Sequence, residues 1–209
     1  MTTGKTCDDV HLILASASPR RKDLLGRLGL CFEIAPSDID EAQEDGEKPE
    51  DHVRRLAHAK AAEVAPHYPG KWVLGADTIV VIDDTILGKP QDEAEARSML
   101  SRLNARFHTV LTGYALVNAS RPQEGTVRCV SSSVFIRELS PEEIAGYVKS
   151  GEPMDKAGSY AIQGLGSGIV ERVTGSYTNV VGLPLCEVAR DLKDLGIFDF
   201  LSRINGNDR

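Results

Sequence analysis

The sequence predicts an α/β protein built on a mixed sheet. Three observations carry this. Short apolar runs alternate with helical patterns through the first half of the chain; the segment Trp72–Ile82 reads as a strand apolar on both faces, as a central strand should; and two long strand-like segments, 107–119 and 126–138, follow one another across a polar link at 120–125.

Leu12-Ile13-Leu14-Ala15 suits a short buried strand, and the small residues Ser16-Ala17-Ser18 suit a tight turn. Ser18 is a good N-cap and Pro19 a good first helical residue, whose missing N–H would be an orphan there anyway. Leu24, Leu25 and Leu28 then fall at helical spacing, with Gly29 as the stop. Arg20 and Arg21 place two cations in the first turn, against the helix macrodipole. Either an external anion such as a phosphate chain completes the site, or the pair is solvated on an amphipathic helix. A second strand is expected at 31–35, followed by the acidic stretch Asp38-Ile39-Asp40-Glu41 and a polar loop to Lys48. Such a stretch is either solvated surface or a site for a hard divalent cation.

Pro49-Glu50-Asp51 opens a helix whose apolar stripe is Val53, Leu56, Ala57 and Val64, with Lys60 on that same face. A lysine there either snorkels to the surface or reaches an internal anion. In the strand that follows, Asp77 interrupts the apolar run, where an ionised carboxylate needs a metal, a cation or strong hydrogen bonds to offset desolvation. Asp83-Asp84 makes a hairpin turn, Thr85–Leu87 returns, and Lys89 sits at the strand end as either a solvated lysine or a ligand. Residues 92–104 form a helix with Ala96, Met99, Leu100 and Leu103 inward. Ser140-Pro141-Glu142-Glu143 caps a further helix that ends near Ser150-Gly151. The glycine-rich run 155–168 suits close backbone approach to a ligand, or a mobile loop, and contains Gln163, whose amide can read a base edge. A strand near 169–173 and a helix with Leu185, Val188, Ala189, Leu192 and Leu195 inward complete one domain spanning 1–209, with an ordered core of about 11–200 and flexible ends at 1–10 and 205–209.

Composition narrows the function. The 209 residues are 41% hydrophobic and 26% charged, which is ordinary for a globular domain, and the net charge of −7 lacks the basic footprint of a nucleic-acid binder. No apolar run approaches the ~20 residues of a membrane span, and residues 1–9 lack the apolar core of a secretory signal. Cys7, Cys31, Cys129 and Cys186 are scattered without CxxC spacing, so they are expected as reduced core fillers of a cytoplasmic protein. Against this acidic background, Arg20, Arg21, Lys60 and Lys89 set beside Glu41 and Asp77 fit a metal–polyphosphate site; the absence of GxxxxGK[ST] excludes a P-loop.

Seven ordered blocks, ASASPRRKDLL, FEIAPSDIDE, RLAHAKA, LGADTIV, LGKP, DKAGSYAIQGLG and GSYTNVVGLPL, together resemble the Maf family of nucleoside triphosphate pyrophosphatases over roughly residues 12–195. The resemblance implies an elongated α/β fold related to the inosine triphosphatases, with a cleft between two lobes. It implies hydrolysis of a nucleoside triphosphate to monophosphate and pyrophosphate with Mg²⁺ or Mn²⁺, in a homodimer. Position by position it makes Asp77 the acidic catalytic residue that accepts the proton of the attacking water, Ser16, Arg20, Arg21, Lys60 and Lys89 the phosphate-binding set, and Glu41 with Asp77 the metal carboxylates. Arg20, Thr78 and Gln163 match the trio of the branch that prefers dTTP and UTP. Two rivals stand beside this reading. One is a phosphomonoesterase using Asp83 or Asp84, although adjacent acids on an extended chain point to opposite faces. The other is a nucleotide-dependent regulator of septum formation in which catalysis is not essential.

Overall fold

The computed structural model describes residues 10–199. Its strands are β1 (Leu12–Leu14), β2 (Phe32–Ile34), β3 (Trp72–Ile82), β4 (Thr85–Leu87), β5 (Phe107–Val117), β6 (Thr126–Ile136) and β7 (Val170–Thr174). Its helices are α1 (Pro19–Gly26), α2 (Pro49–Val64), α3 (Glu93–Leu103), α4 (Pro141–Lys149), α5 (Tyr177–Val181) and α6 (Leu185–Asp194). All seven strands join one sheet in the order β2-β1-β3-β5-β6-β7, with β4 also on β3. β1 runs parallel to β2 and β3, and every other pairing is antiparallel, which gives the mixed α/β sheet expected. Apart from Val10, the ends expected to be flexible lie outside the described residues.

β3 organises the molecule because its partner changes along one edge. β5 covers the other edge from Val73 to Val81, whereas on this edge β1 pairs only with Trp72–Leu74 and β4 only with Val80–Ile82. Between them, residues 75–79 have no strand neighbour on that side. The two ends of β3 also enter different cores. Trp72, Leu74 and Ala76 pack with Leu24 and Leu25 of α1 and Val188 and Leu192 of α6. Val80 and Ile82 pack with Ala96, Leu100 and Leu103 of α3 and Ile144 and Val148 of α4. Two lobes therefore share one sheet, and the interrupted edge of β3 lies between them.

The pleat sorts the residues at that interruption. Side chains two apart share a face, so Gly75 and Asp77 point the same way and Thr78 the other. Helix α2 lies directly on the Gly75 face. A Cβ at Gly75 would sit 2.2 Å from the Ala57 carbonyl oxygen, and one at Gly113, the cross-strand partner of Asp77, would sit 2.1 Å from that of Val53. Only glycine admits this approach, and it brings the Lys60 face of α2 down onto Asp77.

The capping signals act as the sequence predicts. The Ser18 side chain accepts from the Arg21 N–H, and Ser140 with Glu143 forms a complete capping box. The two long strands stop at Val117 and Ile136, short of 119 and 138, because the ladder ends there: Asn118 turns the chain instead, its Oδ1 accepting from the Ser120 N–H at 2.9 Å. α1 ends at Gly26 and Gly29 takes a left-handed turn three residues later. The glycine-rich run is not loose, since a short 3₁₀ turn at Glu152–Asp155 leads into it and two more, Ala157–Ser159 and Gly164–Gly168, lie within it. The cysteine expectation is corrected. Cys129 is a half-buried free thiol, Cys186 an exposed one, and Cys31 is disulfide-bonded, while Cys7 lies outside the described residues. A disulfide needs two cysteines brought together in space, which sequence spacing alone does not reveal.

Candidate active site

A cavity of about 630 Å³ opens at the interrupted edge of β3. Ser16, Arg20, Arg21, Glu41, Lys60, Asp77, Thr78, Lys89 and Gln163 all line it, so every residue singled out by the family resemblance is gathered at one place. Their supports differ. Ser16, Arg20 and Arg21 come from the turn into α1, Lys60 from α2, Asp77 and Thr78 from β3, and Lys89 from the segment after β4.

On the α2 face the two carboxylates converge on one cation. Lys60 is only 6% exposed, and its Nζ donates to Asp77 Oδ1 at 2.7 Å and lies 2.5 Å from Glu41 Oε1. Of the two readings open to Lys60, snorkelling is thus ruled out, and the internal anion it reaches is Asp77. Asp77 is buried while the Glu41 side chain is half exposed, so the lysine joins a fixed strand to a surface loop. That loop is fastened to α2 by Glu47, which accepts from Arg55 at 2.6 and 2.8 Å and contacts His52 Nδ1 at 2.8 Å. The Arg55 hydrogen bonds hold the Glu47 carboxyl at about 2.

On the opposite face Arg21 and Arg20 have parted roles. Arg21 donates from Nε to the Gly182 carbonyl at 2.9 Å, from Nη1 to Ser16 Oγ at 3.2 Å and from Nη2 to Thr78 Oγ1 at 3.1 Å. Burial pushes its guanidinium down from the ordinary value, against the opposing pull of Asp77. Thr78 Oγ1 also pairs with Thr112 Oγ1 at 2.9 Å, and Thr112 donates to the Asn179 carbonyl at 2.9 Å. Ser16 Oγ accepts from both Arg21 and the Ser18 N–H, which leaves its own O–H to donate into the cavity. Arg20 stands at the rim, where Nη1 lies 3.6 Å from Asp155 Oδ2 on the other lobe. Among the described residues, Lys89 and Gln163 have no side-chain hydrogen bond or ion pair. Asp83 and Asp84, by contrast, form the tip of the β3–β4 hairpin with φ of 49° and 56°, and Asp83 is held by Arg106 at 2.6 Å. Neither lines the cavity, so nothing favours the phosphomonoesterase reading.

The family defined as Maf-like protein matches residues 11–195. This chain belongs to the Maf-like protein family. A Maf-like relative from Syntrophus aciditrophicus (strain SB), described as a dTTP/UTP pyrophosphatase, is 50% identical over 189 residues, covering 90% of this chain and 92% of its own. Another of the same description, from Geobacter metallireducens (strain ATCC 53774 / DSM 7210 / GS-15), is 50% identical over 190 residues, covering 90% and 98%. Among solved structures, a nucleoside-triphosphatase / dITP/XTP pyrophosphatase from Mycobacterium abscessus aligns over 88% of this chain and 97% of its own, at 19% identity and a TM-score of 0.45.

The Maf-like cavity also holds residues that sequence reasoning passed over: His52, Val110 of β5, Asp155 and Lys156. The DK pair was visible at the head of the glycine-rich run, and an acid next to a lysine in a ligand loop was the available signal. Among the described residues no three His, Cys, Asp or Glu side chains cluster as a ready-made metal cage. The residues present still fit Mg²⁺ or Mn²⁺, because such ions bind through one or two carboxylates with substrate phosphates and water completing the shell. Glu41 and Asp77 would be that pair, their carboxylates meeting here at the Lys60 ammonium. No helix of the described chain is long and apolar enough to cross a membrane.

Proposed function

We propose that this chain hydrolyses dTTP and UTP to the nucleoside monophosphate and pyrophosphate, and that one domain with two lobes does so. The observation that carries the proposal is the meeting of Asp77, Glu41 and Lys60 in a cavity that also holds Arg20, Lys89 and Gln163. The relatives described as dTTP/UTP pyrophosphatases support the choice of substrate.

The roles follow from the bonds each group has left. Asp77 commits Oδ1 to Lys60, and its second oxygen accepts the proton of the attacking water. The water oxygen bonds to one of the two phosphorus atoms of the α–β bridge, and the bond from that phosphorus to the bridging oxygen breaks. The electron pair stays on that oxygen, which leaves with pyrophosphate after attack on the α phosphorus or with the nucleoside monophosphate after attack on the β. Lys60 holds the Asp77 carboxylate in place and adds positive charge beside the phosphates. Glu41 and Asp77 would hold Mg²⁺ or Mn²⁺, which when bound neutralises charge on the phosphate oxygens. Lys89 and Arg20 are placed to meet the phosphate chain as it enters, and the Ser16 hydroxyl donates to it. Arg21 is the frame of this subsite, and its remaining N–H groups face phosphate. Thr78 contributes to selectivity through Arg21, which it holds, whereas Gln163 offers a donor and an acceptor to the uracil or thymine edge. We further place the protein in the cytoplasm as a homodimer, in keeping with the family resemblance.

The test is a panel of nucleoside triphosphates with Mg²⁺ or Mn²⁺ in which pyrophosphate and inorganic phosphate are assayed separately. Pyrophosphate released fastest from dTTP and UTP is the expected result. Faster release from another nucleotide overturns the substrate assignment. Binding without turnover of any nucleotide transfers the site to the regulator reading.

A further inference from the structure

Gln163 has no side-chain partner among the described residues, so its direction is set by the backbone of the loop that carries it. That backbone is tied on both sides of Gln163 to a single pair of residues that do not line the cavity. Glu152 Oε1 accepts from the Gly166 N–H at 2.8 Å and from Tyr147 Oη at 2.8 Å, and Oε2 accepts from the Leu165 N–H at 2.9 Å. Tyr147 Oη in turn accepts from the Ala161 N–H at 3.2 Å. The clamp has no slack. A Cβ at Gly164 would lie 2.4 Å from Glu152 Oε2, and one at Gly166 would lie 2.7 Å from Tyr147 Oη and 2.0 Å from the Ala161 carbonyl oxygen. Burial pushes the Glu152 carboxyl up, but the N–H groups of Gly166 and Leu165 and the Tyr147 phenol outweigh it and hold the acid ionised below its usual range. Tyr147 is buried, so the pair is anchored in the core of the second lobe.

A glycine-rich segment without such ties would sample many conformations, and a ligand would have to bear the cost of ordering it. We propose that Glu152 and Tyr147 are positioning residues for base selection: they fix the backbone of residues 161–166 and thereby aim Gln163, without touching the nucleotide. The backbone of the same residue serves the rim, because Lys156 Nζ donates to the Glu152 main-chain carbonyl at 2.9 Å and to Asp155, the residue that faces Arg20. This inference rests on the reading of Gln163 as the group that meets the base.

The experiment compares wild type, Glu152→Gln, Gln163→Ala and the double variant on dTTP, UTP and dGTP, with amide hydrogen exchange over residues 161–166. Glu152→Gln turns an acceptor into an amide that faces a loop N–H. It is expected to raise KM for dTTP and UTP about tenfold with a much smaller change in kcat, to erode preference over dGTP by a similar factor, and to speed exchange of the loop amides. In the double variant the loss should equal that of Gln163→Ala alone, since a clamp has nothing to aim once the amide is gone. Additive losses, or unchanged loop exchange in Glu152→Gln, overturn the proposal. If Glu152→Gln does not fold, Tyr147→Phe removes one hydroxyl and must show the same pattern in weaker form. A wild type that does not prefer dTTP or UTP sinks the substrate assignment instead; the clamp then still requires fast loop exchange and non-additivity on whichever triphosphate is turned over.

Discussion

At the scale of single residues, Asp77, Lys60 and Glu41 form a set in which each member answers for the others. Lys60 is buried with two carboxylates on its ammonium. Replacing it by Met strands Asp77 in the interior, and removing one partner of a buried pair costs about 3–5 kcal/mol. Asp77→Asn is the milder lesion for the fold because Glu41 still neutralises Lys60, yet it removes the group proposed as the proton acceptor. Thermal melts should therefore show Lys60→Met far less stable than Asp77→Asn, while Asp77→Asn lowers kcat by about 10²–10⁴-fold. Equal losses of stability would contradict this division. His108 supplies a pH signature away from the site. It is buried beside Tyr160, whose Oη lies 2.6 Å from Nε2, and burial pushes the imidazole down to about 4. As pH falls below about 6.5 the unfolded chain takes up a proton that the folded one refuses until about 4, so His108 withdraws up to about 3 kcal/mol of stability across that window. The slope of stability against pH between 6.5 and 5 should flatten in His108→Asn. A slope unchanged from wild type would refute it.

At the scale of elements, the site depends on how closely α2 lies on the sheet. Gly75 and Gly113 permit contact with the backbone of Ala57 and Val53, and the approach delivers Lys60 to Asp77. A methyl group at Gly75 must move the helix, and overpacking of this kind costs about 1–3 kcal/mol or more. Gly75→Ala is expected to lower both Tm and kcat although the residue has no chemistry of its own. Retention of full activity would mean that α2 can shift without disturbing Lys60. β1 and β4 matter by being short. They pair with the two ends of β3 and leave 75–79 open, so that one strand can present Asp77 to one side of the cavity and Thr78 to the other.

At the scale of the whole molecule, two cores flank the cavity and one sheet runs through both. A nucleotide bound between them adds stability in proportion to RT ln(1 + [L]/Kd), about 2.7 kcal/mol at 100 times Kd. For a chain of this size that corresponds to about 5–10 °C in Tm. Asp77→Asn mixed with dTTP should show such a shift, and a shift with dTTP and UTP but not with dGTP would tie selectivity to binding. No shift with any triphosphate would remove the cavity from consideration as the nucleotide site. Much of this architecture was legible from residues alone. Apolar periodicity located the long strands and helices, Ser18-Pro19 and Ser140–Glu143 marked helix starts, and the cost of burying a charge singled out Asp77. Those properties are local, because they depend on neighbours one or two turns away. The short helix Tyr177–Val181, the 3₁₀ turns of the glycine-rich run and the Cys31 disulfide left no such trace. Nor could sequence choose between a solvated and a buried Lys60, separate the framing role of Arg21 from the rim position of Arg20, or find Glu152 behind the Gln163 loop. Each of those turns on which groups distant in the chain take up a side chain's hydrogen bonds. The sequence by itself determined the elements and the kinds of charge available; only the tertiary structure decided which charges meet, because that is set by the register of β3 and the seat of α2 upon it.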